Sequence, residues 1–449
     1  MNANLLPIDA LLSEEEVKKL HESYLNPGLA KLLGLLNFDK VYPEAHGCVL
    51  KDSQGKEILD FLGGYGSLNF GHNPPEIMAA IESVSASPNI LQAGLGRYPA
   101  ILAHNLAQIT PGELQHTFFS NSGAEAVEGA LKFARSATGK TRLISIEGSF
   151  HGKTMGALSL TGKEKYQKPY KPMVPDCETI PFGDTYALER ALKDHEVAAI
   201  MIEPILGEGG VLIHPNGYLQ YAQDLCRHYG KLFIVDEVQT GMGRTGRNFA
   251  CEHYGLEPDI LCLAKSLGGG CMPIGATITT EKVWQDALGG IFKCLNHTST
   301  FGANARACAA GIAAIEILIR DCLAARAAEK GERLMAGLLR IKENFGFIKD
   351  VRGLGLLIGV EFDSGGLFGK AAYDFIGSMI AGVLLNEYGI LTAYTLNNPT
   401  VVRIEPPLII TDEQIDYFLD SFSRLLNQNS SARKLSMHSG RTMLKSVIG

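Results

Sequence analysis

The sequence predicts an α/β fold built around a mostly parallel central sheet, and three features of residues 115–280 support this prediction. Short apolar runs in this region end abruptly in polar residues, as strands buried on both faces do. Helix-length segments separate the runs, and one of them places Val127, Ala130 and Ala134 on a single helical face. Because parallel strands need crossover connections, this alternation predicts helices on both faces of the sheet. The apolar runs are residues 117–119, 143–146, 198–202, 232–235 and 260–263.

The remaining elements predict a second, smaller α+β domain. Two long helices are expected at residues 303–319 and 322–340, followed by strands at 356–362 and 401–404. We therefore expect four parts of the chain. They are an N-terminal segment that contributes to the small domain (1–70), a large domain (71–305), a C-terminal small α+β domain (306–429) and a polar, basic flexible tail (430–449).

Composition and charge argue against several function classes. The chain has 449 residues, of which 46% are hydrophobic and 20% charged, so it can bury a large core. Lys and Arg total 41 against 48 Asp and Glu, and this net charge of −7 offers no basic surface for nucleic acid or an anionic membrane. No apolar run approaches the ~18–20 residues of a membrane helix, and the N-terminus lacks the order of a signal peptide. Nine single cysteines without a CxxC pair favour a cytoplasmic protein with reduced thiols and no metal site.

Two glycine-rich segments resemble nucleotide-binding motifs but do not satisfy them. Residues 148–154 have three residues between the glycines, where the nucleotide P-loop has four. Residues 241–246 match GxGxxG, but five residues separate the motif from its strand and no helix is expected after it. Neither segment predicts a nucleotide site.

Three chemically useful groups follow the predicted strands, at the sheet edge where ligands bind in such folds. Lys265 follows the run 260–263, and burial there favours a neutral amine that can form a Schiff base with an aldehyde. Asp236 follows the run 232–235 and can keep a pyridine nitrogen protonated. Residues 121–124 open a predicted helix, whose free N–H groups and dipole suit a phosphate monoester. Together they predict a site for pyridoxal phosphate.

Each of these features also has an ordinary structural explanation when taken alone. A lysine at position 265 can extend to solvent, and Asp236 can cap a helix or hydrogen-bond in the core. Ser122 and Glu125 can form a simple capping box. Only the combination favours the cofactor site.

Several long segments resemble the class III, ornithine-type aminotransferases that use pyridoxal phosphate, and within them the putrescine aminotransferases. The resemblance runs from about residue 63 to residue 411. It implies the fold of the aspartate-aminotransferase-like, fold type I enzymes, in which the large domain binds the cofactor. The segments are FFSNSGAEAVEGALKFAR, SFHGKTMGALS, IEPILGEGGV, FIVDEVQTGMGRTG, PDILCLAKSLGGG, HTSTFGANARACAA and VVRIEPPLIIT.

The resemblance implies which residues bind the cofactor. Lys265 would form the Schiff base and Asp236 would pair with the pyridine nitrogen, so both would be catalytic. Thr300 would reach the phosphate bound by the neighbouring subunit, which implies a homodimer with active sites at the interface. The other expected contacts are Ser122, Gly123 and Ala124 at the phosphate, Phe150 and Val238 on the two ring faces, and Gln239 near the ring hydroxyl. Phe150 and Val238 could instead belong to the core, and His151 could be a satisfied interior histidine.

The sequence leaves alternatives open for the substrate residues. Lys153 stands where many relatives have an arginine that clamps a substrate carboxylate, and lysine lacks the planar fork for this task. The resemblance implies that Glu203 and Arg403 pair in one half-reaction and that Arg403 is released for the acceptor's carboxylate in the other. Glu203 could also meet the distal ammonium of a diamine. Tyr65 is either a pocket wall or an interface aromatic.

The sequence therefore predicts an aminotransferase that moves an amino group from a diamine or ω-amine, such as putrescine or cadaverine, to a 2-oxo acid, with 2-oxoglutarate expected. The reaction would be ping-pong through the Lys265 Schiff base. The main alternative is an acetylornithine, ornithine or other ω-amino-acid aminotransferase on the same fold. An aminomutase, a decarboxylase, an enzyme for a carrier-tethered aldehyde and a non-catalytic binding module remain open.

Overall fold

The computed structural model describes residues 5–363, 369–429, 434, 435 and 438. Its strands are β1 Glu44–His46, β2 Val49–Lys51, β3 Glu57–Asp60, β4 Leu114–Ser120, β5 Arg142–Ile146, β6 Cys177–Ile180, β7 Val197–Ile202, β8 Ile205–Leu206, β9 Leu212–Ile213, β10 Leu232–Asp236, β11 Ile260–Leu263, β12 Gly275–Thr280, β13 Ile348–Leu354, β14 Leu357–Phe362, β15 Ile390–Leu391, β16 Ala393–Tyr394 and β17 Val401–Ile404.

The helices alternate with these strands through the middle of the chain. The α-helices are α1 Glu14–Leu20, α2 Pro27–Leu35, α3 Gly63–Gly66, α4 Pro75–Ser83, α5 Arg97–Ile109, α6 Gly123–Thr138, α7 Met155–Leu160, α8 Glu164–Gln167, α9 Thr185–Leu192, α10 Tyr218–Tyr229, α11 Glu281–Leu288, α12 Ala305–Arg320, α13 Leu323–Asn344, α14 Gly369–Tyr388 and α15 Asp412–Gln428. Short 3₁₀ turns occupy Lys168–Tyr170, Ala250–Tyr254 and Lys265–Gly268, and a π-helical turn occupies His21–Leu25.

The central sheet has seven strands in the order β4-β12-β11-β10-β7-β5-β6. β12 runs antiparallel to both of its neighbours, whereas the pairs from β11 to β6 are parallel. All five predicted strands are present, so the prediction of a mostly parallel sheet is confirmed. In the register of β10 and β11, Asp236 pairs with Cys262, which brings the ends of these two strands side by side.

Helices cover both faces of this sheet, and alternate strand residues supply each core. Ile234, Ile260 and Cys262 face a cluster that includes apolar residues of α6, α7 and α11. Their neighbours Phe233, Val235, Leu261 and Leu263 face a larger cluster with residues of α5, α10 and α12. Because side chains alternate across a strand, this division follows from the continuous apolar runs of the sequence.

Two four-stranded sheets and the two-stranded sheet of β8 and β9 lie outside the central one, and one of the four-stranded sheets carries Arg403. The first has the order β1-β2-β3-β15 and the second has the antiparallel order β13-β14-β17-β16. The strands expected at 356–362 and 401–404 are β14 and β17, and the two long helices are α12 and α13. The boundaries of the domains stay a prediction. The proposed tail, 430–449, lies outside the described residues apart from 434, 435 and 438.

Two further findings concern membrane helices and cysteines. Among the described residues, no helix combines the length and apolarity that a membrane span requires. All nine cysteines fall in the described part of the chain, where they are free thiols. The expected cytoplasmic location stays a prediction.

Candidate active site

A cavity of about 510 Å³ opens at the carboxyl ends of the central strands. It brings together most of the residues that the sequence singled out for the cofactor, together with Glu203. Tyr65, Lys153, Thr300 and Arg403 are not among the residues that line it. The expected residues in its wall are Ser122, Gly123, Ala124, Phe150, Glu203, Asp236, Val238, Gln239 and Lys265.

Lys265 lies directly after Ala264 at the end of β11, as the first residue of a 3₁₀ turn. Its backbone has a φ of +49°, a left-handed conformation that is unusual for a lysine. The side chain is half-buried because it opens on the cavity. Burial lowers the pKa of Lys265, although the negative charge of Glu405 opposes the shift. The lowered pKa favours the neutral amine that attacks a carbonyl carbon.

Asp236 ends β10 and points its carboxylate at His151. The Nδ1 of His151 donates to Asp236 Oδ2 across 2.7 Å, and the amide of Val238 donates to Oδ1 across 3.1 Å. Burial alone would lower the pKa of His151, but the hydrogen bond and charge of Asp236 outweigh it and raise that pKa. His151 is thus an interior histidine that orients the Asp236 carboxylate beside the cavity.

The start of α6 forms another wall of the cavity. Ser122 is the N-cap, and its hydroxyl accepts from the amide of Glu125 at 3.2 Å. By helix geometry, the amides of Gly123 and Ala124 have no partner within the helix. A Cβ at Gly123 would lie 2.7 Å from Val238 Cγ1, so only glycine allows this close approach of the helix to the chain after β10.

Gln239 is held between a glycine and a buried carboxylate. Its Nε2 lies 3.0 Å from each carboxylate oxygen of Glu405. A Cβ at Gly207 would collide with Gln239 Oε1, so the backbone packs directly against the amide. This packing fixes the direction of the Gln239 side chain in the cavity wall.

Arg403 pairs with Glu208, which corrects the expected pair with Glu203. Arg403 Nη1 donates to Glu208 Oε1 at 2.8 Å, and the guanidinium lies 5.1 Å from the centre of the Tyr65 ring. Burial disfavours the charged carboxylate, but Arg403 outweighs it and lowers the pKa of Glu208. The other oxygen of Glu208 accepts from the amide of Leu396 at 2.8 Å. Glu208 lines the cavity and therefore separates Arg403 from it.

Glu203 lies in the cavity wall but interacts with the backbone. Its two oxygens accept from the amide of Phe150 at 2.8 Å and from the amide of Gly207 at 3.2 Å. Burial raises the pKa of Glu203 to about 7, while the nearby His151 opposes this shift. Glu203 is thus only partly charged near neutral pH.

Lys153 and Thr300 lie outside this cavity. Lys153 is exposed, and its Nζ lies 5.9 Å from the centre of the Phe150 ring and 5.5 Å from that of Tyr166. Thr300 is also exposed, and its carbonyl accepts from Gln92 Nε2 at 2.9 Å. Neither side chain is therefore among those that form the cavity wall.

Two carboxylates of this region were missed by the sequence analysis. Glu208 lies between Gly207 and Gly209 in the segment IEPILGEGGV, which the sequence analysis used only as part of the family resemblance. Glu405 follows Arg403 by two residues, and this proximity to a candidate anchor is the one signal that could have drawn attention to it.

The residues of the cavity fit pyridoxal phosphate. Lys265 offers a neutral amine to its aldehyde, and buried Asp236 offers a carboxylate to its ring nitrogen. The start of α6 offers free amides to its phosphate. Glycine at positions 123 and 207 lets the backbone approach Val238 and Gln239 closely, which fixes these two side chains in the cavity wall.

Comparisons with known proteins agree with this fit. Residues 35–426 match the family model of the class III aminotransferases. The ornithine aminotransferase of Toxoplasma gondii ME49 is 34% identical over 93% of this chain and 96% of its own, with a TM-score of 0.83.

More distant solved structures have the same fold. The acetylornithine aminotransferase of Elizabethkingia anophelis is 28% identical over 92% of this chain and 99% of its own, with a TM-score of 0.75. An amine transaminase from an uncultivated Pseudomonas species is 27% identical over 85% of this chain and 93% of its own, with a TM-score of 0.78. The chain therefore belongs to the class III aminotransferases, pyridoxal-phosphate-dependent transaminases of fold type I.

Proposed function

We propose that this aminotransferase takes its amino group from a diamine or another ω-amine, such as putrescine or cadaverine, and passes it to a 2-oxo acid, 2-oxoglutarate above all. The charge of the cavity is the observation that carries the proposal. Asp236 is expected to pair with the cofactor, and two further carboxyl groups, Glu203 and Glu208, line the cavity together with one lysine whose pKa burial lowers. Such a cavity attracts a donor whose far end is an ammonium group and disfavours one that ends in a carboxylate.

The position of Lys153 supports a donor without a carboxylate. Its amine lies over aromatic rings at the surface and not in the cavity wall. A lysine there binds as a single point charge and cannot form the two parallel hydrogen bonds of an arginine with a carboxylate.

Arg403 supports a 2-oxo acid as the acceptor. Within the described part of the chain, its buried Nη2 has no hydrogen-bond partner, and Glu208 occupies Nη1. A substrate carboxylate that displaces Glu208 could therefore bind both nitrogens of the guanidinium. A diamine needs no such exchange, because Glu208 can stay on Arg403 and still face its distal ammonium.

Residues of the cavity then have separate roles in a ping-pong transfer of the amino group. When bound, the cofactor supplies an aldehyde that takes up the amino group and an electron-poor ring that stabilises a carbanion. Lys265 Nζ would move the proton from the amine-bearing carbon of the donor to the aldehyde carbon of the cofactor, and in the second half-reaction from that carbon to the carbonyl carbon of the 2-oxo acid. Asp236, oriented by His151, holds the ring nitrogen in its protonated form. Because donor and acceptor use the same cavity in turn, the first product must leave before the acceptor enters.

We also propose that the enzyme is a homodimer in which Thr300 reaches the phosphate bound by the partner subunit. The segment around Thr300 exposes large apolar side chains, namely Ile291, Phe292, Leu295 and Phe301. A cluster of this kind is typical of a surface covered by another subunit. Thr300 lies outside the cavity of its own subunit, in agreement with this role.

The alternative donors are ornithine and N-acetylornithine, and the likeness to the Toxoplasma ornithine aminotransferase favours them. The test is a donor screen of the purified holoenzyme with 2-oxoglutarate. We expect a diamine to give the highest kcat/KM. If ornithine or N-acetylornithine exceeds every diamine by about tenfold or more, the diamine proposal is wrong. Turnover without any added 2-oxo acid would indicate an aminomutase.

A further inference from the structure

Glu405 is a fully buried carboxylate immediately behind the cavity wall. Its two oxygens each lie 3.0 Å from Nε2 of Gln239, and Oε2 lies 3.4 Å from Nε of Arg403. Glu405 therefore contacts both a residue of the cofactor cavity and the arginine expected to bind the acceptor.

Glu405 cannot leave this position as Glu208 can. Its amide donates to the carbonyl of Phe61 at 2.8 Å, which anchors the backbone. A Cβ at Gly66 would collide with Glu405 Oε1, so the turn at Gly63–Gly66 encloses the carboxylate. Glu208, in contrast, lines the cavity, and under the proposed function a substrate carboxylate displaces it from Arg403. The charge of Glu405 is thus a permanent neighbour of Arg403, whereas that of Glu208 is exchangeable.

A second arginine accounts for the burial of this charge. Arg244 Nε lies 3.9 Å from Glu405 Oε1, whereas Arg403 contacts Oε2. The Nη1 of Arg244 donates to the carbonyls of Leu356 and Pro406, and its Nη2 donates to Asn69 Oδ1. Arg244 is therefore fixed in the core. A buried carboxylate with such a partner destabilises the folded state less than an isolated one.

The consequence is an electrostatic bias on what Arg403 can bind. A substrate carboxylate that replaces Glu208 must approach Arg403 while Glu405 remains within ion-pair distance of the same guanidinium. In a buried site with a low effective dielectric constant, this repulsion is substantial. The same negative charge of Glu405 attracts the distal ammonium group of a substrate.

We propose that Glu405 is a specificity-determining residue whose fixed charge weakens the binding of substrate carboxylates at Arg403 and favours amino donors with a cationic far end. For the donor this inference rests on the proposed function. Its electrostatic part applies to any carboxylate that binds at Arg403.

Putrescine and 4-aminobutyrate form a matched pair of probes, because they share a four-carbon chain and differ in the charge of the far end. The experiment is to measure kcat/KM for both donors with the wild-type holoenzyme and with Glu405→Gln. This variant keeps an oxygen for Gln239 and removes the charge. The ratio of putrescine to 4-aminobutyrate is expected to fall by about tenfold or more. The control is Glu361→Gln, which removes a carboxylate from the Arg352–Glu361 pair of 2.6 Å, away from the cavity. It should leave the ratio unchanged.

A binding measurement makes the result independent of turnover. Glutarate, followed through the absorbance of the bound cofactor, should bind about tenfold more tightly to Glu405→Gln than to the wild type. If the single variant does not fold, Glu405→Gln combined with Arg244→Gln keeps the buried charge balanced. It should shift both measurements in the same direction by a smaller factor.

The outcomes separate this inference from the proposed function. An unchanged ratio and an unchanged glutarate affinity overturn it, as does an equal loss of kcat/KM for both donors, which indicates a purely structural role. A wild type that prefers ornithine while the ratio still falls in Glu405→Gln overturns the diamine proposal and supports the role of Glu405.

Discussion

The buried carboxyl group of Glu203 is expected to make the stability of the protein depend on pH. Its pKa is raised to about 7 by burial, from an ordinary value of 4.5. Glu203→Gln replaces a group that ionises in the interior with a neutral one of nearly the same shape. The amide oxygen of the new side chain can still accept one of the two backbone hydrogen bonds, from Phe150 or from Gly207.

The sign and size of the effect follow from the two pKa values. An acid whose pKa is higher in the folded state binds its proton more tightly there, so folding is favoured at low pH. As the pH rises from about 4.5 to about 7, the unfolded chain loses this proton first, and the free energy of unfolding falls. A difference of about 2.5 units at 1.36 kcal/mol each corresponds to about 3 kcal/mol. Above the folded pKa the loss is complete.

The assay is urea unfolding of the wild type and Glu203→Gln between about pH 5 and pH 8.5. The stability of the variant relative to the wild type should increase with pH and reach a plateau near pH 8, about 3 kcal/mol above its value at low pH. The control is Glu343→Gln at an exposed position of α13, for which the difference should stay flat. A flat difference for Glu203→Gln as well would refute the argument that burial raises this pKa.

Three further predictions use other residues of the site. Lys265→Ala should abolish the absorbance of the covalently bound cofactor and reduce transamination by about 10³-fold or more; a pyridoxyl adduct elsewhere after borohydride treatment and peptide mapping would contradict this role. Lys153→Arg should raise kcat/KM for N-acetylornithine relative to putrescine a few-fold in the donor screen, whereas Lys165→Arg, another lysine stacked on Tyr166, should not. Gly66→Ala should lower the free energy of unfolding by about 2 kcal/mol more than Gly217→Ala. The φ angles of the two glycines are nearly equal, +80° and +78°, but only Gly66 lacks space for a Cβ. Equal losses in the last pair would mean that φ alone determines the cost.

The central strands could be predicted from the sequence because their apolar runs are continuous. β10 and β11 are fully apolar up to their polar ends, as strands covered on both faces must be. β12 was missed because its buried positions include Thr277 and Thr279, so it shows no apolar run. The hydroxyl of Thr277 donates to the carbonyl of Ala126 at 2.7 Å, a long-range contact that makes its burial tolerable. β6 was missed because it is a half-exposed edge strand.

The cofactor residues were predictable for a similar reason, because they follow strands that the apolar runs of the sequence reveal. The partner of Arg403 was not. Glu203 and Glu208 are only five residues apart, and both follow β7. The short hairpin of β8 and β9 turns Glu208 towards β17, and only the tertiary structure reveals this turn. Charge partners that depend on such a turn have no local signature in the sequence.

The left-handed backbone of Lys265 has a consequence for the evolution of this scaffold. Asparagine and glycine occupy that region of conformational space more easily than lysine does. The left-handed conformation therefore destabilises the folded chain by roughly 1 kcal/mol or more, and it directs the amine of Lys265. Lys265→Gly or Lys265→Asn should accordingly yield an inactive protein that melts at a higher temperature in the absence of cofactor. A lineage released from selection for transamination would be expected to drift towards these residues, so lysine at this position is itself a sign of retained catalysis.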